Sequence, residues 1–412
     1  ARRAQQARPI TALGARMYRA RARSFRGEAE TTMARAIGVE LGHHRSVVAA
    51  VCQGKPGVLP NRLGAPFTPA YLMVGQGGRP ECAAAGDPVF PLAAADSSVH
   101  LGAHQYRRRE RLALHLTHLR SLAEHALGES VRRAVLTVPV TAGQRDLRLL
   151  REVALLSGLM PLRLVHQPVA AVVHCLAGAD STPRTLLALH FGLCCLDVAV
   201  VRYLPGAVTV LGLAGADWLG GEDLTRAVAA RWLQALQAER GVLRDGGRRQ
   251  TEALQRRLRA HAEKTKVALS RSQYEDIVRP HLDQVVDAVD AALSMAGVVA
   301  GSVDALLLLG GSTQMPVLRR TLAGHLPGAR LLAQHSPFLS GALGAALLSA
   351  TADHLRCPTC GYRCSAAAAR CTRCGFSLDG EERRVCPACA LANDVRRPVC
   401  WHCGASLRAA WG

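Results

Sequence analysis

Residues 36–51 read Ala36-Ile37-Gly38-Val39-Glu40-Leu41-Gly42-His43-His44-Arg45-Ser46-Val47-Val48-Ala49-Ala50-Val51. An apolar strand runs from Ala36 to Leu41, Gly42 interrupts it, and a second apolar strand returns from Ser46 to Val51. The same plan recurs further along, with Thr185 to Leu189, Gly192, then Leu196 to Val201. A repeated strand–turn–strand unit predicts two related halves. Short strands at Ala134–Val138 and Leu162–Val165 flank a helix near Gln144–Ser157. After the second hairpin come a strand at Val208–Leu213, a Gly-Gly turn and a helix over Glu222–Leu236. A long charged helix over Thr251–Leu269 and another near Ile277–Met295 follow. The continuous apolar strand Val303–Leu309 then enters Gly310-Gly311-Ser312, and a last helix lies near Leu339–Leu348. Strands alternating with helices predict an α/β domain.

Beyond that domain the cysteines dominate. Nine of the 14 lie between Cys357 and Cys403. Cys357, Cys360, Cys371 and Cys374 form C-x2-C-x10-C-x2-C, and Cys386, Cys389, Cys400 and Cys403 repeat it 29 residues later. Each C-x2-C turn puts two thiolates on one small loop, and two such loops complete a tetrahedral all-thiolate zinc site. Gly361, Gly375 and Gly404 supply the turns after the knuckles, and Cys364 has no counterpart in the second unit. Two small zinc ribbons with two structural zinc ions are expected. The alternative, a disulfide cluster, requires an oxidising compartment, and no export signal is legible. The expected organisation is a basic leader outside the fold (1–33), the α/β domain (34–350), a linker (351–356), and ribbons at 357–380 and 381–412.

A length of 412 residues suits two or three domains, and 49% hydrophobic residues can bury a large core. The formal charge of +20 is a weaker sign of nucleic-acid binding than it looks. Only three of the 51 basic residues are lysine, so arginine is a general compositional bias. Residues 353–412 carry nine arginines and five acids, so eight thiolates and two zinc ions leave that tail near neutral. The clearest basic run is 1–35, with nine arginines and two acids, which suits an arm for nucleic acid or an anionic surface, or a targeting peptide. Ser336–Ala352 is uncharged but short and broken by Pro337, Gly341 and Gly344, so it reads as a buried helix and not a membrane span.

Two features suit a nucleotide. Glu263, Lys266 and Ser270 share one helical face, which can hydrogen-bond a ribose or can be an ordinary solvated face. The Gly310-Gly311-Ser312 turn lets backbone approach a ligand closely, or is simply a turn.

These motifs, in order, resemble one family. Ile37–Gly42, Lys55-Pro56 to Asn61, Thr68-Pro69, Val135–Pro139, His166–Ala171, His190-Phe191-Gly192 to Asp197, Gly215–Asp223, Glu263–Lys266 with Ser270, and Gly310–Pro316 carry the resemblance. They are similar to the nucleotide-binding domain of the seventy-kilodalton heat-shock chaperones (DnaK-type). The resemblance implies a two-lobed actin-like ATPase fold, a duplicated ribonuclease H-like α/β architecture. It implies ATP or ADP bound through Gly42, Gly192, Gly220, Gly221, Glu263, Lys266, Ser270, Gly310, Gly311 and Ser312. Asp197 is the remnant of the catalytic apparatus it implies.

The chain departs from that pattern on the phosphate side. Where the family holds hydrated magnesium with two aspartates, this chain has Glu40 and His190. Gln167 replaces the family's glutamate that positions water, and His43 and His44 replace hydroxyl residues. Gly192-Leu193-Cys194 replaces a triple glycine, and Cys195 a threonine. Phe338 and Gln314 stand at the adenine end in place of an aspartate and an arginine, and no residue aligns with the catalytic lysine. Magnesium prefers hard oxygen donors in octahedral geometry, so it is not expected to be well held. The small sheet that would lie between Ser272 and Ile277, and the peptide-binding domain, have no counterpart in this sequence.

The expectation is therefore a divergent nucleotide-binding protein, a weak or inactive ATPase of the cytoplasm, whose ribbons recruit a protein partner. No membrane partner is expected, and nucleic acid is a less favoured one. A ribbon scaffold carrying a relic nucleotide fold and an active chaperone ATPase are the alternatives. His43, His44, His190, Cys194 and Cys195 would face one another across the hairpins, either as a transition-metal site or as drift in a disused pocket.

Overall fold

The structure is a computed structural model that describes residues 17–19, 35–75, 80–83, 87–88, 98–177, 184–204, 207–240, 271–332, 336–378 and 383–407. Its described residues fall into two units, one gathering residues 16–183, 203–209 and 334–412, the other 184–202 and 210–333.

The first sheet contains β1 (Arg35–Glu40), β2 (Arg45–Cys52), β3 (Lys55–Leu59), β4 (Val131–Val138) and β5 (Met160–His166), with the short strand Thr68–Pro69 also paired on β2. The order is β3-β2-β1-β4-β5. The first three strands form an antiparallel meander, and β4 and β5 add in parallel beside β1. The second sheet contains β6 (Arg184–Phe191), β7 (Cys195–Leu204), β8 (Ala207–Asp217), β9 (Ala305–Leu309) and β10 (Arg330–Leu331). Its order is β8-β7-β6-β9-β10, with β6, β9 and β10 mutually parallel. Both sheets thus follow one plan, in which the third, second and first strands lie side by side and the fourth and fifth follow. The duplication expected from the two hairpins is present in strand order. The central strands β6 and β9 are buried along nearly their whole length, which explains their unbroken apolar runs.

Seven helices are labelled α1 (Arg108–Leu127), α2 (Gln144–Leu156), α3 (Gln167–Cys175), α4 (Gly221–Arg240), α5 (Arg271–Ala296), α6 (Pro316–His325) and α7 (Ser340–Ala350). The pattern anticipates α2, α4, α5 and α7 but not α1, α3 and α6. Arginine and histidine break up the apolar face of α1, yet its ends carry clear signals. The Glu110 carboxylate accepts from the Arg107 amide at 2.9 Å, and Gly128 ends the helix at φ 72°. The charged helix expected at 251–269, with Glu263, Lys266 and Ser270, lies outside the described residues.

α7 explains the uncharged stretch before the cysteines. It lies buried across β1 and α3. A Cβ on Gly38 would collide with the Ala346 amide, and one on Gly344 with the Ala170 carbonyl, so small residues set this close approach. Among the described residues no helix is long and apolar enough to cross a membrane.

Within the basic leader, expected to stand outside the fold, Met17–Arg19 forms an edge strand antiparallel to Ala207–Thr209. The tail differs more. His354–Arg356, read from sequence as linker, is a ribbon strand (β11) paired with β12 (Arg363–Ser365). The second ribbon pairs β13 (Arg383–Val385) with β14 (Ala392–Asp394). Cys386, Cys389, Leu391, Cys400 and Leu407 are buried in the same apolar cluster as Ile37, Leu112, Leu116 and Leu136. The buried Tyr106 hydroxyl donates to the Cys389 carbonyl at 2.9 Å, its ring stacks on His402, and the Arg109 guanidinium lies over Trp401. The first ribbon is fixed by Arg133, which donates to the Ala366 carbonyl at 2.6 Å.

Candidate functional site

All four knuckles of the tail share one backbone geometry. The amides of Gly361, Gly375, Ala390 and Gly404 donate to the carbonyls of Cys357, Cys371, Cys386 and Cys400 at 2.8–3.0 Å. These four donors have φ between 59° and 72°, the left-handed region that favours glycine. The three glycines are legible in sequence, whereas the fourth position, Ala390, carries the same turn without the signal. Cys357, Cys360, Cys371 and Cys374 form one group of converging donors, and Cys386, Cys389, Cys400 and Cys403 another. The Sγ–Sγ separations are 3.6 Å for Cys357–Cys374 and Cys360–Cys371, 3.7 Å for Cys386–Cys403 and 3.5 Å for Cys389–Cys400. Zinc–sulfur bonds of about 2.3 Å set tetrahedral sulfurs about 3.8 Å apart, so both groups fit that ion. Burial opposes a Cys400 thiolate, but the Cys403 and His402 amides and the Asn393 side chain outweigh it and hold the thiol at about 7. Cys371 is held at about 6 in the same way, by the Cys374 and Arg373 amides against burial. Cys364 is not one of the four converging thiols; it hydrogen-bonds Cys371 and directs its Sγ at the Tyr362 carbonyl.

The first hairpin is occupied by structural bonds. The Glu40 carboxylate accepts from the Ala342 amide at 3.0 Å, at the N-terminus of α7. There the helix dipole and unsatisfied amides favour a negative charge. The extra methylene of Glu40 thus reaches a helix end. Gln167, almost fully buried, donates from Nε2 to the Leu41 carbonyl at 3.0 Å, a bond a carboxylate cannot make. The hairpin turn itself is tight, because a Cβ on Gly42 would collide with the Arg45 carbonyl. His44 contacts the Tyr71 hydroxyl at 2.6 Å, and Phe338 meets Phe67 edge-on.

The second hairpin gathers most of the remaining sequence-predicted residues. Gly221, at the start of α4, donates its amide to the Gly192 carbonyl at 2.9 Å, and the Glu222 amide bonds the Leu193 carbonyl at 2.9 Å. Ser312 donates to the Gly192 carbonyl at 3.2 Å. A Cβ on Gly220 would strike the Leu193 carbonyl, and one on Gly310 the Phe191 carbonyl. Gly192, Gly220, Gly221, Gly310, Gly311 and Ser312 therefore belong to one turn cluster. The first amides of α4 are spent on hairpin carbonyls, where a helix start could otherwise hold a phosphate. Trp218, at φ 70°, is an exposed non-glycine residue in the left-handed region beside this turn, a feature that no composition signal marks. Cys194 turns to the Glu222 carboxylate at 3.7 Å, and burial followed by that carboxylate pushes its thiol up to about 12. Asp197 is buried beside His190 and Cys195. Burial and then the Asp197 carboxylate raise the Cys195 thiol well above its ordinary range.

The donors on the two hairpins do not fit hydrated magnesium. One carboxylate is held by a helix end, and the other sits with an imidazole and a thiol, while magnesium demands hard oxygen donors. Glu263, Lys266 and Ser270, expected from the sequence on the nucleotide side, lie outside the described residues.

Comparison with known proteins accords with this architecture. The profile of the family described as Hsp70 protein matches residues 93–274 and 266–351. The chain is 28% identical over 366 residues to the Chaperone protein DnaK of Picrophilus torridus, covering 77% of this chain and 58% of that protein. It is 30% identical over 357 residues to the Chaperone protein HscA homolog of Bordetella pertussis, covering 76% and 57%. The chain thus spans somewhat over half the length of these relatives. Duplicated sheets of one strand order, a glycine turn cluster around the second hairpin and the profile match lead to one conclusion: the chain belongs to the Hsp70 protein family, with a nucleotide-binding domain of the actin-like ATPase fold joined to two cysteine ribbons.

Proposed function

We propose that this chain is an Hsp70-type nucleotide-binding protein that has given up efficient ATP hydrolysis and uses its ribbons to recruit a protein partner. The observation that carries the reading is the Glu40 carboxylate bonded to the Ala342 amide, which ties a phosphate-side acid to a helix end. Gln167, spent on the Leu41 carbonyl, adds to it, since its amide can neither accept a proton as a base nor carry charge. Phosphoryl transfer depends on metal, positioning and electrostatics together, so several such losses reduce turnover severely. Nucleotide binding then acts as a regulator.

Zinc in the two four-thiol groups belongs to this reading, as does residence in a reducing compartment such as the cytoplasm. Exposed Tyr362, Val385 and Val399 offer apolar surface on the ribbons for a protein partner. Base stacking has less support. Trp401 is engaged by Arg109 and by the Ala392 carbonyl, Phe376 is half-buried, and Trp411 lies outside the described residues.

Calorimetric titration of the full chain with ATP and ADP, with and without magnesium, tests the nucleotide part. Binding without magnesium dependence is expected, and no binding at millimolar nucleotide would remove it. Steady-state turnover that collapses in Asp197→Asn would establish an active ATPase instead. Retention of nucleic acid by the full chain at low salt, lost in high salt, would replace the protein partner with a polyanion.

A further inference from the structure

His190, Cys195 and Asp197 form a third group of converging donors, separate from the eight ribbon thiols. Their placement follows from the hairpin. His190 is near the end of β6, while Cys195 and Asp197 are two residues apart on β7 and so project from the same face. The Gly192 amide, bonded to the Cys195 carbonyl at 3.0 Å, closes the turn and holds the strands in register. One carboxylate oxygen is the common point. Asp197 Oδ2 lies 3.4 Å from His190 Nδ1 and 3.9 Å from Cys195 Sγ. The donor atoms of the three residues all lie within 4.8 Å of one another.

Two physical arguments separate a metal site from a set of hydrogen bonds. A charge-assisted N–H···O bond is about 2.7–2.9 Å long, so 3.4 Å is poor as such a bond. Around a tetrahedral ion with N and O donors at about 2.0–2.1 Å and sulfur at about 2.3 Å, the N–O edge is about 3.4 Å and the S–O edge about 3.6 Å. The observed separations lie close to those edges. Burial points the same way. Asp197 has no exposed surface and Cys195 is 4% exposed, so packing holds both donors in place, as a ligand set requires. The His190 side chain is 15% exposed, so the cluster reaches the surface on the imidazole side.

We propose that His190, Cys195 and Asp197 bind a borderline divalent transition metal, zinc foremost, in an open site with water as the fourth ligand. An imidazole, a thiolate and a single carboxylate are a poor set for magnesium or calcium and a good one for zinc or cobalt. Cys194 and His44, which the sequence groups with this cluster, are engaged elsewhere, by Glu222 and Tyr71. Asp197 takes the place they would have had.

Metal content of the full chain, loaded with zinc and freed of excess by gel filtration, tests the proposal. The wild-type chain should carry one zinc more than His190→Ala or Cys195→Ser, with the ribbon zinc unchanged in both variants. Cobalt loading gives a second readout. The wild-type-minus-variant spectrum should show single-thiolate charge transfer and weaker visible bands than a tetrathiolate centre. A wild-type chain that saturates at two zinc ions, with a cobalt spectrum of tetrathiolate centres alone, overturns the proposal even if the variants fail to fold.

Discussion

At the scale of single residues, two buried polar groups make the clearest predictions. Gln167 uses its only donor group on the Leu41 carbonyl. In Gln167→Glu the donor is lost and a carboxylate faces a carbonyl in a buried position, a cost of about 3 kcal/mol at neutral pH. The pKa of the new glutamate rises in the folded state. The penalty therefore sets in as pH climbs above about 4 and is relieved on acidification. The gap in Tm between wild type and Gln167→Glu should be wide at pH 7 and narrow at pH 4.5, and a gap independent of pH would contradict this account. His115 behaves oppositely. It is fully buried between the Ser46 hydroxyl at 2.9 Å and the Cys82 thiol at 3.4 Å, and burial, then nearby His118, lowers its pKa from 6.5 to about 3. The neutral ring is the folded form. As pH falls from 6.5 towards 3 the unfolded chain takes up a proton that the folded chain refuses, and stability drops. The loss from His115 alone is about 2 kcal/mol by pH 5. His118, His281 and His402, whose pKa values are also lowered, add in the same direction. Denaturant melts across pH should show this slope, and His115→Gln should flatten it. Neither residue's role is legible in sequence. Gln167 reads from sequence only as a replaced family glutamate, and a histidine amid leucines signals nothing about its partners.

At the scale of elements, hydrophobic pattern and turn chemistry carry most of the reading. β6 and β9 are evident because unbroken apolar runs suit buried parallel strands, and α7 because small uncharged residues suit a helix pressed on a sheet. α1 was hidden by its arginines and histidines, two of which, Arg111 and His115, are buried through tertiary contacts. The knuckles show the same limit in miniature. Three of the four turns announce themselves with glycine, while Ala390 adopts φ 59° because the knuckle turn that closes on the Cys386 carbonyl requires it. A non-glycine residue there is strained by about 1 kcal/mol, partly offset in a glycine variant by greater unfolded-chain entropy. Ala390→Gly should therefore leave stability unchanged or raise it by up to about 1 kcal/mol. Substituting alanine at Gly361, Gly375 or Gly404 should lower it. Zinc-dependent melting of the four variants separates the cases, and an Ala390→Gly variant as damaged as Gly404→Ala would show that the turn is not strained.

At the scale of the whole molecule, the ribbons are continuous with the first sheet's unit. The second ribbon shares an apolar cluster with α1 and β4, and Tyr106 binds the Cys389 carbonyl from the domain side. Structural zinc contributes about 10–16 kcal/mol to the folding of such small units. Stripping metal from the full chain should therefore loosen more than the tail. Hydrogen exchange after chelation is expected to accelerate in Arg108–Leu127 as well as in residues 383–407. Unchanged protection of α1 would mean that the ribbons are merely tethered. The sequence by itself determined the repeated hairpins, the α/β class and the eight zinc-type cysteines, because hydrophobic period, turn residues and ligand spacing are local properties of the chain. Tertiary structure alone decided that Glu40 faces a helix end, that Gln167 holds the Leu41 carbonyl, that Asp197 joins His190 and Cys195, and that the ribbons share a core with the domain. Each of these joins residues through distance, burial and direction, and those quantities exist only once strands and helices have packed.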